Sequence, residues 1–351
     1  MAERHLKGRA EFSVRNTRKS GKVTLADVAR AVGVSAITVS RALREPDKVS
    51  ATLRQRIDHT IRELGYVPDP VARALVTGRT NIIGVIIPSV TNNVFADVLR
   101  AVYDVIRMTD FGIQLGNSRY SLLEEEKLVR LFLSQKPAGL IVAGVDQSEA
   151  TRSLLVEASC PVVQIMEVGD DPIDMMVGFS HYEAARAATR HLIDRGYRRP
   201  AFVAARMDPR SQRRLQGFRE ETEVQGLFDE TRIITTQRPS SVAMGVELFG
   251  ELMSVAPDAD AVLCNNDDLA LGVLFEAQRR RFRVPDQLGI CGFNDLEFCA
   301  VAEPSMTSVR TFRHEMGERA IRMLVSAIEG KRPEEALVDL GYEVVHRRST
   351  R

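Results

Sequence analysis

From Asn81 onward, short apolar runs alternate with segments of helical periodicity at 95–108, 124–134, 181–195 and 269–279. The apolar runs are IIGVIIP (82–88), GIQLGN (112–117), GLIVAG (139–144), PVVQIME (161–167), AFVAA (201–205), AVLCNND (261–267) and LGICGFND (288–295). Strands that alternate with helices form parallel sheets that helices cover on both faces. Seven or more strands in about 250 residues predict two linked, doubly wound α/β subdomains rather than one.

Ligands of such sheets bind beside the carboxyl ends of the strands. The polar residues that follow the apolar runs are therefore the first candidates for a ligand site: Ser89, Asn92, Asn117, Glu167, Arg206, Asn266, Asp267 and Asn294. Phe95, just beyond the first run, is a further candidate. The sequence contains no GxGxxG after its first strand, and no GxxxxGK[ST], GxSxG or HExxH. We therefore predict no cofactor, no metal and no catalysis.

Charge is divided unevenly along the chain, although the net formal charge is only +1. Residues 1–80 hold 16 Lys and Arg against 8 Asp and Glu, whereas the remaining 271 residues carry a net charge of −7. A basic first quarter on an acidic body is typical of a nucleic-acid-binding module joined to another domain. Residues 1–22 are polar and aperiodic, and we predict a disordered basic arm there.

The stretch TLADVARAVGVSAITVSRAL contains two short helical patterns separated by Gly33. The residues predicted to be buried are Leu25, Val28, Ala29 and Val32 in the first pattern, Val39, Ala42 and Leu43 in the second, and Leu53, Ile57, Ile61 and Leu64 in a third that follows Ser50. Thr24 and Ser35 are suitable N-caps for the first two. These features predict a helix-turn-helix domain at 23–68, whose second helix enters the major groove of DNA.

The outer face of the second helix carries the side chains that would read DNA. Arg41 suits a bidentate contact with guanine, and Ala36 and Ile37 suit thymine methyl groups. Arg44, Arg54 and Arg56 suit phosphates. The predicted DNA-binding residues of this domain are Thr24, Ser35, Ala36, Ile37, Thr38, Ser40, Arg41, Arg44, Ser50, Arg54 and Tyr66. An ordinary surface helix with Ser and Arg side chains is the alternative interpretation.

Two interpretations remain open for residues 69–79, within VPDPVARALVTGRT. The segment is either a plain interdomain linker or a hinge helix too short to be stable without a partner. In the second case Ala72 would pack against a symmetry mate. Leu75 would then be a wedge inserted into a base step of the minor groove.

The protein is expected to be cytoplasmic. No apolar run approaches the roughly 20 residues of a membrane span, and the N-terminus lacks the apolar core of a secretory signal. The four cysteines form no CxxC pair and lie among apolar residues, which predicts reduced core thiols.

Several motifs in the same order resemble the lac-repressor family of bacterial transcription factors: TLADVARAVGVSAITVSRAL, ELGYVPDPVARAL, NNDDLALG and VPDQLGICGFND. The resemblance extends from about residue 23 to the end. It implies a homodimer on a pseudo-palindromic DNA operator, with Leu75 at the operator centre. It also implies a body at 80–351 that is similar to periplasmic sugar-binding proteins, with three chain crossings between subdomains. We place these crossings near Phe179, Ser308 and Arg332, which gives an N-subdomain of 80–178 and 309–332 and a C-subdomain of 179–308 and 333–351.

A narrower resemblance, to the gluconate-operon repressors, is carried by IPSVTNNVFADVLR, VGFSHYEAAR and CNNDDLALG. It implies a small sugar-acid effector such as gluconate, which requires a cation for its carboxylate and polar partners for its hydroxyl groups. Arg214 matches the family's effector-binding arginine. Arg206 and Arg210 are either additional cations of the site or surface arginines. Phe179 matches an aromatic residue of the family's pocket, although a core phenylalanine fits the spacing equally well.

Two departures from the family pattern bear on the ligand. Asn294 replaces the Asp that sugar-binding members commonly have, and Ser180–His181 replaces a common Asp-Asn pair. Both changes weaken a neutral-sugar interpretation and fit an acidic ligand. His181 is either a hydrogen-bonding partner or a helix-capping residue, and we favour capping.

The sequence thus predicts an effector-controlled repressor that a sugar acid releases from DNA. Two other classes of protein remain as alternatives. One is a sugar-binding receptor for transport, which the basic head and the absent signal sequence disfavour. The other is a small-molecule enzyme of the α/β class, such as a kinase or dehydrogenase, which the absence of a phosphate-binding loop disfavours.

Overall fold

The computed structural model describes residues 23–67 and 78–351. They belong to two compact units, the head (23–67) and the body (78–351). The predicted arm at 1–22 and most of the predicted hinge at 69–79, including Ala72 and Leu75, lie outside the described residues.

Three helices form the head: α1 (Leu25–Val32), α2 (Ala36–Arg44) and α3 (Ala51–Leu64). A capping box begins α1, because the Thr24 hydroxyl accepts from the Asp27 amide and the Asp27 carboxylate accepts from the Thr24 amide. The helix ends at Gly33, whose φ of +77° is a left-handed conformation that glycine adopts without strain. Ser35 caps α2 by accepting from the Thr38 amide at 3.1 Å. The predicted helix-turn-helix is confirmed.

The core of the head is small. Its fully buried members are Val28, Ala29, Val32, Val39, Ala42 and Ile57. The prediction that Leu43 and Leu64 are buried is wrong, since they are 37% and 39% exposed. Both lie at the C-terminal ends of their helices. The apolar pattern continues there, but the other two helices no longer cover these side chains.

Twelve strands of the body form two six-stranded sheets. They are β1 (Ile82–Ile87), β2 (Gly112–Asn117), β3 (Gly139–Ala143), β4 (Val162–Ile165), β5 (Met175–Gly178), β6 (Pro200–Ala205), β7 (Ile233–Thr236), β8 (Ala261–Cys264), β9 (Gly289–Asn294), β10 (Thr307–Arg310), β11 (Leu337–Asp339) and β12 (Glu343–Val345). The first sheet has the order β11-β5-β4-β3-β1-β2 and the second β12-β10-β9-β8-β6-β7. Every ladder is parallel except β10–β12, so the doubly wound α/β class is confirmed.

Nine helices of the described residues accompany these strands. They are α4 (Asn93–Ile106), α5 (Leu122–Ser134), α6 (Glu149–Val156), α7 (His181–Asp194), α8 (Pro209–Val224), α9 (Val242–Val255), α10 (Asp267–Arg279), α11 (Phe298–Val301) and α12 (Arg313–Ile328). Among the helices the structure describes, none has the length and apolar character needed to cross a membrane.

The alternation of side chains along each strand explains why helices cover both faces of the sheets. In β1, Ile83, Val85 and Ile87 pack with α4 and α12, whereas Ile86 packs on the opposite face with α5 and α6. Gly84 lies on that second face, and a Cβ there would stand 2.5 Å from the Phe132 ring. In the second sheet, α7 and α8 cover one face and α9 and α10 the other. We call the two halves the first and second lobes.

Three connections join the lobes. The first passes from β5 in the first sheet to α7 on the second, and the next passes from β10 to α12. The last connection was predicted near Arg332, but the structure places it after Asp339. The reason is that Leu337–Asp339 pairs with β5 and extends the first sheet by a short edge strand. Three residues with little burial give no strand signal in the sequence.

The four cysteines are unpaired, and Cys264, Cys291 and Cys299 are buried. This agrees with the prediction of free thiols. Cys160 is only partly buried.

Ile57→Ala is expected to destabilise the head by about 2–5 kcal/mol, because it leaves a cavity in a core with few other members. Hydrogen exchange of the α1–α3 amides in the full chain measures this change. Leu64→Ala, on the same helix but exposed, is the control and should cost much less. Equal protection of the amides in the two variants would contradict this description of the core.

Candidate functional site

The surface predicted to read DNA is accessible on the head. Ala36, Ile37 and Arg41 lie on the exposed face of α2, and the Ile37 side chain is 68% exposed. This exposure leaves an apolar and a cationic side chain accessible on the same face of α2. Thr38 and Ser40 are partly buried at the margin of this face, and the Thr38 hydroxyl bonds to that of Ser35.

The remaining predicted DNA-binding residues surround α2. Thr24 and Ser35 use their hydroxyl groups as helix caps, Ser50 precedes α3 without a side-chain cap bond, and Arg54 is partly buried. Tyr66 packs against the core of the head. Arg56 donates to the Val32 carbonyl at 3.0 Å and so supports the end of α1. Arg44 is the last residue of α2.

Polar side chains from both lobes meet at a cleft within the body. Three residues at strand ends beside this cleft, Met166, Arg206 and Asn294, have positive φ values of 81°, 52° and 114°. Such backbone conformations are unfavourable for residues other than glycine, and they are concentrated at functional sites. They turn the chain sharply as it leaves the sheet.

The cleft has two adjoining chambers, of about 60 and 130 Å³. The inner chamber is lined by Asn92, Val94, Phe95, Tyr120, Met166, Ala205, Arg206, Asp208, Arg210, Ser211, Arg214, Ser240, Asn265, Asn266 and Asn294. Ser89 lines the outer chamber. The structure thus brings together eight of the predicted effector residues, namely Ser89, Asn92, Phe95, Arg206, Arg210, Arg214, Asn266 and Asn294.

Three predicted residues lie elsewhere. Asn117, the last residue of the edge strand β2, is exposed, accepts a bond from the Arg119 amide and is not among the residues that line the two chambers. Phe179 is a core residue, with its ring 4.3 Å from that of His181. Glu167 is buried behind the wall of the cleft, where its Oε2 lies 3.6 Å from Arg213 Nε.

Arg214 is the most buried cation of the inner chamber, at 8% exposure. It projects from the second turn of α8, which Asp208 caps by accepting from the Ser211 amide. Its guanidinium donates to His181 Nδ1 and to the Asn265 carbonyl, and lies 3.7 Å above the centre of the Phe293 ring. Burial lowers the pKa of Arg214 to about 9, so the group stays ionised near neutral pH.

The capping role that we favoured for His181 is wrong. Ser180 caps α7 by accepting from the Glu183 amide at 3.2 Å, whereas His181 is fully buried at the first helical position. Its Nε2 lies 2.8 Å from the Met166 carbonyl, and its Nδ1 faces Arg214. The contacts of His181 agree instead with the alternative interpretation, in which it is a hydrogen-bonding partner.

Arg206 and Arg210 connect the two lobes across the cleft. The Arg206 guanidinium lies 4.1 Å from the centre of the Tyr120 ring, and that of Arg210 lies 5.7 Å from the Phe95 ring. Among the described residues that line the inner chamber, Asp208 is the one carboxylate, against three arginines. Burial opposes the ionisation of Asp208, but Arg210 and the Ser211 amide outweigh it and lower its pKa. The chamber is therefore net positive.

Several residues that line the inner chamber were not predicted from the sequence: Tyr120, Asp208, Ser211, Ser240 and Asn265. Asn265 had a usable signal, because it stands beside Asn266 at the end of the same strand. Its amide is fully engaged, since it donates to the Ala205 carbonyl at 3.1 Å and to the Ser211 hydroxyl at 2.9 Å. The other four lie in loops or in the first turn of a helix, where periodicity gives no information.

An exposed reading helix on a three-helix head and a polar cleft in a two-lobed α/β body together define a ligand-responsive DNA-binding regulator. Comparisons with known proteins specify the family. Residues 24–69 match the family model described as bacterial regulatory proteins, lacI family, and residues 189–350 match that of the periplasmic binding protein-like domain. The chain belongs to the lacI family of bacterial transcriptional regulators.

Individual relatives match over nearly the whole chain. It is 41% identical over 336 residues to the HTH-type transcriptional regulator GntR of Pseudomonas aeruginosa, covering 96% of this chain and 98% of that protein. It is 36% identical over 324 residues to GntR of Escherichia coli K12, covering 92% and 97%. A crystal structure of a LacI-family transcriptional regulator from Silicibacter pomeroyi matches with a TM-score of 0.88 and 34% identity, covering 94% of this chain and all of that one. All three relatives are named as transcriptional regulators.

Glu167→Gln is expected to remove part of the pH dependence of stability. Burial, only partly opposed by Arg213, raises the pKa of Glu167 from 4.5 to about 7. The folded protein therefore retains a proton that the unfolded chain releases, so the free energy of unfolding falls as pH rises from about 4.5 to about 7. The share of Glu167 in this fall is on the order of 3 kcal/mol.

Chemical denaturation of the wild type and of Glu167→Gln at about pH 5 and about pH 7.5 gives the change in the free energy of unfolding with pH for each protein. Glu157→Gln, at an exposed position, should leave the wild-type pH dependence unchanged. If Glu167→Gln has the same pH dependence as the wild type, the burial assigned to this carboxyl group is contradicted.

Proposed function

We propose that this regulator represses genes of gluconate-type sugar-acid catabolism and that a sugar acid releases it from its operator. The observation that carries the proposal is Arg214, an ionised guanidinium in the inner chamber without a carboxylate partner among the described residues. The sequence resemblance to gluconate-operon repressors supports this ligand class, and the relatives named GntR agree with it.

On the DNA side, α2 is assigned to the major groove. Arg41 contacts guanine, and Ala36 and Ile37 contact thymine methyl groups. Phosphate contacts by Arg44 and Arg54 fix the register without reading sequence. The proposal of two such heads on a pseudo-palindromic operator requires a homodimer.

The body offers a surface suited to dimerisation. Between α4 and α12 lies a groove lined in part by Met108, which follows the end of α4 and is 82% exposed, and Tyr103 in the last turn of α4 is 49% exposed. Apolar exposure of this extent on neighbouring turns is typical of a protein–protein interface. We assign it to the partner subunit.

On the effector side, the carboxylate of the ligand binds Arg214, and its hydroxyl groups bind the amides of Asn92, Asn266 and Asn294. The chambers share Arg206 and Tyr120, whose stacked side chains must separate to admit a six-carbon acid. An ion pair between Arg213 and Asp146 joins the two lobes. Arg313, at the start of α12 in the first lobe, pairs with Asp97 of the same lobe and donates to the Asn294 carbonyl of the second lobe.

Binding of the ligand therefore changes the contacts between lobes. A ligand can shift DNA affinity only by its differential affinity for the two states, which is typically about 1–3 kcal/mol. We propose that this shift favours release.

Arg41→Ala is expected to weaken binding to an operator duplex by about 1–3 kcal/mol, the range for one bidentate base contact. Binding to an unrelated duplex at the same salt concentration should change much less. Gel shifts with a duplex selected by the wild-type protein from a randomised pool measure both. Arg30→Ala removes an exposed arginine from α1 as the matched control. A loss of the same size on both duplexes would show that Arg41 contacts phosphates instead.

Gluconate is expected to lower the operator affinity of the wild-type protein by about 5–150-fold, which corresponds to the usual range of coupling free energy. Arg214→Met should abolish this response and retain operator binding in the absence of ligand. Arg219→Met, on the same helix but ion-paired with Glu230 at the surface, should respond like the wild type. A full response of the Arg214→Met protein would place the carboxylate site elsewhere, and no response of the wild type would exclude gluconate.

A further inference from the structure

The protonation state of His181 follows from its contacts. The ring is fully buried, and its Nε2 lies 2.8 Å from the Met166 carbonyl oxygen. Because a carbonyl oxygen can only accept, Nε2 must carry the proton, and Nδ1 of the neutral ring then carries a lone pair. Burial and the nearby charges of Arg214, Arg210 and Arg213 lower the pKa of His181 well below 6.5 and keep the ring neutral.

The lone pair on Nδ1 faces Arg214. Arg214 Nε and Nη2 lie 3.2 and 3.1 Å from Nδ1, and Nη1 donates to the Asn265 carbonyl. The Phe293 ring covers one face of the guanidinium. One edge and one face of Arg214 are therefore fixed, and both hydrogen-bond acceptors are uncharged.

These contacts leave the positive charge of Arg214 available to an anionic ligand. A guanidinium has five N–H bonds, and these contacts engage three of them. One N–H remains on each terminal nitrogen, so the guanidinium can still donate to a carboxylate. In the part of the chain that the structure describes, no Asp or Glu oxygen lies within the 4.0 Å ion-pair limit of Arg214.

We propose that His181 is the residue that makes the cleft select anionic over neutral ligands, because its uncharged ring orients Arg214 without neutralising it. This inference rests on the proposed function, since it concerns how the sugar-acid effector is recognised. A carboxylate at position 181 would orient Arg214 equally well but would satisfy its charge. The carboxylate of a sugar acid would then lose most of its attraction, whereas a neutral polyol would lose none.

The test uses two substitutions that differ only in charge. In His181→Asn and His181→Asp, an oxygen on Cγ occupies about the place of Nδ1, and only the second adds a negative charge. Titration calorimetry of the full chain gives the affinities for gluconate and for sorbitol, the neutral polyol that has CH₂OH in place of the carboxylate.

The wild type and His181→Asn should prefer gluconate, whereas His181→Asp should show a gluconate-to-sorbitol affinity ratio lower by about tenfold or more. Asn117→Asp, which adds the same charge at an exposed position outside the cleft, should keep the wild-type ratio.

The outcomes separate this inference from the proposed function. If the wild type binds gluconate and the two variants at position 181 have equal affinity ratios, the inference alone is overturned. If the wild type binds neither gluconate nor any other six-carbon sugar acid, both fail. Should His181→Asp not fold, nitrogen NMR of His181 in the wild-type chain decides between the two tautomers. An unprotonated Nδ1 near neutral pH supports the inference, and a protonated Nδ1 overturns it.

Discussion

The cleft depends on a positive charge that the protein buries without neutralising it. Removing a guanidinium from water is costly, and a protein usually recovers this cost with a carboxylate partner. Arg214 has instead an imidazole nitrogen, a backbone carbonyl and an aromatic face. These groups fix its orientation and satisfy part of its hydrogen-bonding capacity, but among the described residues no carboxylate forms an ion pair with it. In the proposed function, an anion that enters the cleft would recover the remaining cost and would therefore prefer the state in which the site is assembled.

That arrangement requires the two lobes to be connected in a particular way. Arg214 stands on a helix of the second lobe, and His181 begins the helix that follows the first connection between lobes. Met166, which fixes the tautomer of His181, follows a strand of the first sheet. A shift between the lobes therefore changes the hydrogen bond that orients the guanidinium. In the proposed function this chain of contacts would couple ligand affinity to lobe geometry. The ion pair between Arg213 and Asp146 crosses the same boundary.

Much of the fold and half of the site could be predicted because their determinants are local. Thr24 and Ser35 were identified as caps from residue type alone, and the structure shows both bonds. Asn266, Asn294 and Arg206 were selected because parallel strands present their carboxyl ends to a ligand, and all three line the cleft. Asn117 was selected by the same criterion, but it does not line the cleft. It ends the edge strand of its sheet. Strand order is set by long-range pairing, which one sequence does not reveal.

The sequence by itself determined seven of the strands, the alternation of strands and helices, the caps of the first two helices, the charge division between head and body, and part of the buried stripes of the head. All of these follow from periodicity and residue type over a few turns of chain. Only the tertiary structure decided which polar residues share a cleft, that the short strand at Leu337–Asp339 joins the first sheet, and that His181 bonds to Arg214 rather than capping a helix. The physical reason is that these contacts join residues far apart in sequence, and the direction of a buried side chain depends on packing from elements that local patterns do not describe.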